Sequence, residues 1–404
     1  MLSIEKKLKK IIEWEEVPKK DVLSLYIDVD PSKPENAEKA WLKRVKKALK
    51  ELVENNKGNE NLNESLIKDL SKNLEILLPS GKTLVCFAYK EKDELQYERF
   101  ELNIELPLLD FRNQGVEIAY GRPYITPLLF AMDEYEKTGI LVLNPQKWRF
   151  LEVYLGEVTE DEELFKEISG KDWEELHRLS KQISEEIEHR IQKRGGRFDK
   201  LSIKEREAAK VSTWMSKLYG KMARLLEKIV TADSIERLVF IGERWQLSYF
   251  ETYLSTRMQN KIAAKLPLKP EIKEASPQNI WKYTEPVIYD IEREYEKRLL
   301  QQIKEQPGLW GIDPVLNALQ MGRVRKWVIP WSLDITIWRC EKDGFVAASQ
   351  DTAKIVCSDP KPVRLKECIY DLALTYGAEI EFVRGEAEEI LLKEMDGMAA
   401  LVRW

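Results

Sequence analysis

Residues 187–228 read IEHRIQKRGGRFDKLSIKEREAAKVSTWMSKLYGKMARLLEK, and the chain is organised around this stretch. A helical pattern runs into it, because Leu176, Leu179, Ile183, Ile187 and Ile191 recur every three or four residues. A second pattern runs out through Val211, Met215, Leu218, Met222, Leu225 and Ile229. Each predicts one amphipathic helix with a single apolar stripe. Between them lies Arg194-Gly195-Gly196-Arg197, and two adjacent glycines break a helix. In the second helix Lys210, Lys217, Lys221, Arg224 and Lys228 each precede a stripe residue by one position. They therefore form a second stripe about 100° round the helix.

The stretch carries 12 Lys or Arg against 5 Asp or Glu, a net of +7 on a chain whose total is −5. The remainder therefore sums to −12. Two readings follow. One is a helical hairpin whose lysine-rich face simply keeps it solvated. The other is a basic arm, tipped by the Gly-Gly turn, that enters a groove lined with phosphates. On the second reading the candidate RNA contacts are Arg190, Lys193, Arg194, Arg197, Lys200, Lys210, Lys217, Lys221, Arg224 and Lys228.

A chain of 404 residues is long enough for two or three domains. Charged residues make up 33%, above the usual quarter, and their signs interleave along the predicted helices in the manner of heat-adapted proteins. No apolar run approaches the length of a membrane span, and MLSIEKKLKK lacks a signal-peptide core, so a cytoplasmic location with no membrane partner is expected. Cys86, Cys340, Cys357 and Cys368 include no C-x-x-C pair, which argues against a zinc knuckle or a disulfide framework. Cys340 and Cys357 could meet across neighbouring strands, but buried free thiols are the expectation. Of the two histidines, His177 and His189, both fall in a Glu/Lys-rich helical segment, where a solvated imidazole is the usual outcome.

Periodicity and breakers divide the chain into three segments: an N-terminal α/β domain over 1–136, a middle domain over 137–270 and a C-terminal α/β domain over 271–404. The first has a helix over 1–17, a buried strand VLSLYIDVD at 22–30, helices over 35–55 and 64–77, and strands at 83–89 and 97–102. The middle one opens with a strand pair at 138–144 and 148–156. After the two long helices come a strand at 237–242 and a helix over 248–264. Prolines 267, 270 and 277 then mark a boundary. The last has helices over 287–304 and 314–320, strands at 325–329, 335–339 and 354–357, a helix over 364–376, a strand at 379–383, a helix over 386–394 and a strand at 398–403. That order suits a three-layer α/β/α sandwich.

Familiar chemistry is missing: no Walker loop, no G-x-G-x-x-G after a strand, no H-E-x-x-H and no G-x-S-x-G. No cofactor or metal is expected. Asp28 and Asp30 at a strand end could hold Mg²⁺, although a turn cap before Pro31 is the simpler use. Tyr26, Trp41, Trp148, Trp327, Trp331 and Trp338 read as core or interface residues rather than base-stacking platforms.

Three separated stretches together resemble one family, the archaeal and eukaryotic class-I peptide release factors, Pelota and their bacterial homologues. VLSLYIDVDPS at 22–32 looks like the opening strand of the bacterial members. TGILVLNPQKWRFLEVYLG at 138–156, then the helix, Gly-Gly turn, basic helix and RLVFIG, resembles the family's middle domain. ALQMGRV at 318–324, YGAEIEFV at 376–383 and DGMAALVRW at 396–404 resemble its C-terminal domain, whose fold is shared with a ribosomal protein. The resemblance implies an α/β, three-domain translation-factor architecture with mixed sheets. It also implies a monomer that binds the ribosome through rRNA and tRNA, with a possible translational GTPase as partner. Release factors hydrolyse peptidyl-tRNA with a Gly-Gly-Gln loop, whereas the corresponding loop here is Gly195-Gly196-Arg197. No Asn-Ile-Lys-Ser codon-reading motif is present. Pelota lacks the Gly-Gly-Gln loop and acts in ribosome rescue. Rescue or ribosome silencing is therefore expected ahead of termination, with peptidyl-tRNA hydrolysis and non-ribosomal RNA binding or scaffolding as rivals.

Overall fold

In β1, Val22–Asp28, every residue to Ile27 is buried. A strand so uniformly apolar must be covered on both faces. Leu23, Leu25 and Ile27 point to a core shared with Trp41, Val45 and Leu49 of α1 (Ala40–Asn55) and Leu66, Leu70 and Leu74 of α2 (Glu64–Glu75). Tyr26 faces the other way, edge-on to Phe87 and Tyr124. The sheet continues through β2 (Thr83–Glu91), β3 (Glu94–Leu102) and β4 (Val116–Gly121), in the order β3-β2-β1-β4 with every pairing antiparallel. Lys92 and Asp93 close the β2–β3 hairpin with positive φ, as a tight two-residue turn requires. The short α3, Thr126–Glu134, follows.

The computed structural model describes residues 21–55, 64–107, 115–144, 146–193, 212–305, 308–342 and 344–403, together with Ile11. The helix expected over 1–17, Ile11 apart, and the Gly-Gly turn lie outside the described residues.

A second sheet starts with β5 (Thr138–Val142), β6 (Arg149–Tyr154) and β7 (Glu157–Glu160), an antiparallel run. The long helices α4 (Gly170–Lys193) and α5 (Ser212–Ala232) come next, then β8 (Arg237–Gly242), parallel to β5. The helix expected over 248–264 is instead α6 (Arg244–Glu251), α7 (Thr256–Asn260) and a strand, β9 (Ile262–Pro267). Ser255 caps α7 by accepting from the Met258 amide, which restarts the helix. β9 pairs parallel to β8 and completes the order β7-β6-β5-β8-β9. Helix α8 runs over Pro277–Glu305 with Pro286 inside it. It therefore begins ten residues before the expected start.

Beyond α8 come β10 (Gly308–Trp310), α9 (Ile312–Gln320), β11 (Val324–Pro330), β12 (Thr336–Arg339), β13 (Val346–Ala347), α10 (Gln350–Val356), β14 (Lys361–Arg364), α11 (Leu365–Tyr376), β15 (Glu379–Val383), α12 (Gly385–Glu394) and β16 (Ala399–Val402). They make a mixed sheet, β10-β16-β11-β15, and a small antiparallel one, β13-β12-β14. Leu299, Leu300 and Ile303 of α8 and Leu391 of α12 cover one side of the mixed sheet with Val328, Val383 and Ala399. Two sequence expectations fail in this region. Residues 354–357 are not a strand: Ser349 accepts from the Thr352 amide and starts α10 there, so a local cap outweighs the β-branched run. Cys340 and Cys357 are not free thiols but a disulfide, with Cα atoms 6.0 Å apart. The end of α10 carries Cys357 to Cys340 just past β12, a meeting that an alternating-strand reading does not foresee. Cys86 and Cys368 are free and buried.

The chain is thus mixed α/β with several sheets. It forms two compact units, one of residues 1–135 with 293–404 and the other of residues 136–292. In the first, Phe130 of α3 stacks on Trp331 with ring centroids 4.2 Å apart, and the Trp331 indole donates to the Pro107 carbonyl at 2.7 Å. Asp133 accepts from the Phe382 amide at 2.7 Å. The two ends of the chain therefore share one interior.

Candidate nucleic-acid interface

Helices α4 and α5 present their apolar stripes to one core. Leu176, Leu179 and Ile183 come from α4, and Met215, Leu218, Tyr219, Met222, Leu226 and Val230 from α5, around Trp148, Phe165 and Phe250. The expected α5 stripe named Leu225 and Ile229 in its second half, but these are only partly buried. The drift to Leu226 and Val230 follows from steps of four residues, which keep the stripe on the sheet side.

Polar groups tie these helices to α6. The Trp245 indole donates to Glu243 at 2.7 Å, and the Ser184 hydroxyl of α4 donates to the same carboxylate oxygen. Tyr253 donates to Ser216 at 2.9 Å and lies 2.8 Å from the Tyr249 hydroxyl. Burial pushes the Tyr219 phenol above its usual range, so the inner side of α5 stays neutral. The positive charge is left to the outer side.

The two helices treat their surface cations differently. On α4, Arg178 grips Glu175 through two bonds at 2.5 and 2.9 Å, and Lys181 lies 3.9 Å from Glu185. On α5, Lys221 donates to the Glu167 carbonyl at 3.0 Å and lies 3.5 Å from its carboxylate. Lys217, Arg224 and Lys228 are exposed and form no ion pair among the described residues. They sit three or four residues apart or at multiples of that spacing, so one face of α5 presents a row of free cations. Of the other candidates, Arg190 and Lys193 fall on the last turns of α4. Arg194, Gly195, Gly196, Arg197, Lys200 and Lys210 lie outside the described residues.

The remaining candidates resolve into structural roles. Asp28 accepts from Lys33 at 2.6 Å, from Asn36 at 3.0 Å and from the Asp30 amide at 3.1 Å. Asp30 accepts from the Ser32 amide and hydroxyl, and these bonds hold its carboxyl below the usual range. Both carboxylates are thus spent on the turn after β1. Tyr26, Trp41, Trp148, Trp327 and Trp331 are buried and Trp338 is half-buried. His177 is exposed on α4. Among the described residues no group of three or more His, Cys, Asp or Glu could hold a metal ion, and no helix is long and apolar enough to cross a membrane.

One cluster escaped the sequence reading. Glu117 on β4 accepts from the Tyr124 hydroxyl at 2.9 Å and lies 3.4 Å from Arg364, which also grips Asp334 at 2.6 and 2.8 Å. Beside it Lys366, 1% exposed, donates to the Trp331 carbonyl and lies 3.5 Å from the centre of the Trp331 ring. Burial pushes this lysine down to about 7, against the pull of Glu117 and Asp334. No sequence signal links residues some 250 positions apart.

Residues 123–282, which include the strand pair, the basic stretch and the parallel strands, match the family model described as bacterial archaeo-eukaryotic release factor family 10. Over those residues the chain is similar to the bacterial archaeo-eukaryotic release factors. No curated protein sequence matches the chain. Among solved structures it is similar to an archaeal translation termination factor, aRF1, at 14% identity over 99% of this chain and 98% of that one, with a TM-score of 0.23. A model of ribosome-bound archaeal Pelota and ABCE1 aligns at 11% identity over 98% and 94%, with a TM-score of 0.40. Dom34 of S. cerevisiae, described as a translation termination-like factor, aligns at 8% identity over 80% of each chain, also with a TM-score of 0.40.

Proposed function

We propose that this protein is a ribosome-binding translation factor of the rescue or silencing type that occupies the A site. The observation that carries the reading is the row Lys217, Arg224 and Lys228, exposed on α5 with no ion pair among the described residues, within a stretch of net charge +7. An anionic partner gains most from cations that the protein has not already neutralised. The negative total of the chain does not oppose this, because salt screens charges beyond about 8–10 Å. On this reading the segments 1–136, 137–270 and 271–404 act as three domains. The first faces the small subunit, the second sends the hairpin toward the large-subunit centre or tRNA, and the third takes a partner protein such as a translational GTPase. The C-terminal segment is proposed to share its three-layer fold with a ribosomal protein.

The rival is hydrolysis of peptidyl-tRNA at Gly195-Gly196-Arg197. Two glycines give the backbone freedom for close approach to an ester. Arg197, however, offers donors and no acceptor, which suits phosphate pairing better than alignment of a water. Two measurements test the proposal: co-sedimentation with ribosomes over a salt series, and release of labelled peptide from stalled complexes by wild type and Arg197→Gln. Salt-sensitive co-sedimentation without release is expected. Release by the wild type at the rate of a true release factor would establish the hydrolase, and absence of co-sedimentation would leave a non-ribosomal binding protein.

A further inference from the structure

Between helices α1 and α2, on the surface of the first unit, lies a cleft of about 440 Å³. Its floor is aliphatic: Leu49 and Val53 from α1 and Ile67 from α2. Its rim holds Lys46 and Lys50 on one helix, Lys68 and Lys72 on the other, with Glu75 the one acidic residue among the lining groups. All four lysines are exposed. Lys46 reaches Glu75 at 2.6 Å, but the other pairs are loose: Lys50 lies 3.8 Å from Glu54, and Lys72 lies 3.5 Å from Asp69, which Lys90 holds more closely at 2.5 Å. Exposed pairs of this kind contribute about 0–1 kcal/mol and give way readily to a better anion.

We propose that this cleft docks an acidic amphipathic helix of a partner protein. The charge complementarity is direct: lysines stand on both banks, so an incoming helix with Asp or Glu on its flanks meets a cation on each side. The floor selects the apolar face. Aliphatic anchors at i, i+3 or i+4 and i+7 fill a helix-in-groove site of this kind. The same lining disfavours RNA. Single-stranded nucleic acid is held by cations interleaved with aromatic rings or arginine planes, and neither is present here. The occupant therefore differs in chemistry from that proposed for the α5 row, and the inference does not depend on the ribosomal reading.

The test uses the full chain and a fluorescent synthetic helix of about four turns, with leucines on one face and Asp/Glu elsewhere. Fluorescence anisotropy is recorded for wild type and for Lys50→Glu/Lys68→Glu/Lys72→Glu, three exposed positions, with circular dichroism to check the fold. Saturable binding by wild type, weakened at least about tenfold in the triple variant and in Val53→Asp, is expected. A peptide of the same charge with its leucines scrambled should bind at least about tenfold more weakly. Equal binding of the two peptides, no saturable binding, tighter binding of oligouridine or anionic vesicles through the same lysines, or insensitivity to the triple variant would each overturn the proposal. So would binding that appears only after Glu13, Glu15 and Glu16 are replaced by lysine, because the occupant would then be this chain's own segment.

Discussion

The protein uses its cations in two opposite ways. Inside the unit of residues 1–135 and 293–404, one set is largely enclosed and matched. Lys326 meets Glu381 at 2.6 Å, Arg293 meets Glu134 at 2.6 Å and Glu296 at 3.1 Å, and Arg364 and Lys366 sit in the cluster around Glu117. In the unit of residues 136–292, Lys217, Arg224 and Lys228 stand exposed without ion pairs among the described residues. A charge enclosed by protein must be compensated there, whereas one left in water costs the fold almost nothing and remains available to a ligand. These two sets should therefore respond oppositely to mutation: the enclosed one in stability, the exposed row on α5 in binding.

The largest effect is expected at Glu117. Glu117→Ala would leave Arg364 and Lys366 without their nearest buried anion, and breaking such a cluster costs about 3–5 kcal/mol. Urea unfolding of the variant should show it, and a loss under about 1 kcal/mol would mean the cluster is no stronger than a surface pair. Next comes the Cys340–Cys357 bridge, which joins residues 17 apart. Loop entropy gives such a crosslink about 3 kcal/mol, so the Cys340→Ser/Cys357→Ser variant should unfold at lower urea in oxidising buffer and match wild type under reducing conditions.

Lys366 supplies a third, smaller effect with a defined sign. Its folded value of about 7 lies below the ordinary 10.5, so between those limits the unfolded chain binds more protons than the folded one. Stability should rise with pH across that window, and the penalty for burying the lysine should be fully present below 7. Lys366→Met removes the titration. It should stabilise the protein at pH 6, net of the lost bond to the Trp331 carbonyl, and by progressively less toward pH 10. A gain independent of pH would show that the lysine is not held neutral by burial.

These contrasts also mark what the sequence could and could not reveal. The buried strand β1, the strand pair β5–β6 and the helices around residues 187–228 were legible because periodicity is local. Strand β9 was hidden inside an apparent helix, since Ser255 and the turn before Ile262 break a pattern whose apolar spacing continues. Residues 354–357 were misread because one capping serine outweighed a β-branched run. The disulfide and the Glu117 cluster were illegible for a different reason: their partners meet only through tertiary structure. The basic stretch was legible as charge, but pairing with Glu167 separates Lys221 from its neighbours on α5, and that contact is tertiary.

The smallest effect on stability is expected where the effect on binding is largest. Lys217→Glu, Arg224→Glu and Lys228→Glu change side chains on the solvent face of α5, away from Met215, Tyr219, Met222 and Leu226. Exposed substitutions of this kind shift stability by about 0.5 kcal/mol or less each. Reversal also places these positions near Glu227, but that repulsion acts in water and is screened. The same three changes should alter ribosome or RNA binding steeply. Every phosphate that a cation no longer neutralises lowers the log–log salt slope by about 0.7–0.9, so removing all three cations should flatten it by about 2–3. Binding over a salt series and urea unfolding of the same preparations read the two quantities side by side. An unchanged slope would return the α5 row to the role of a solvated face, and a large loss of stability would show that these cations belong with the buried set after all.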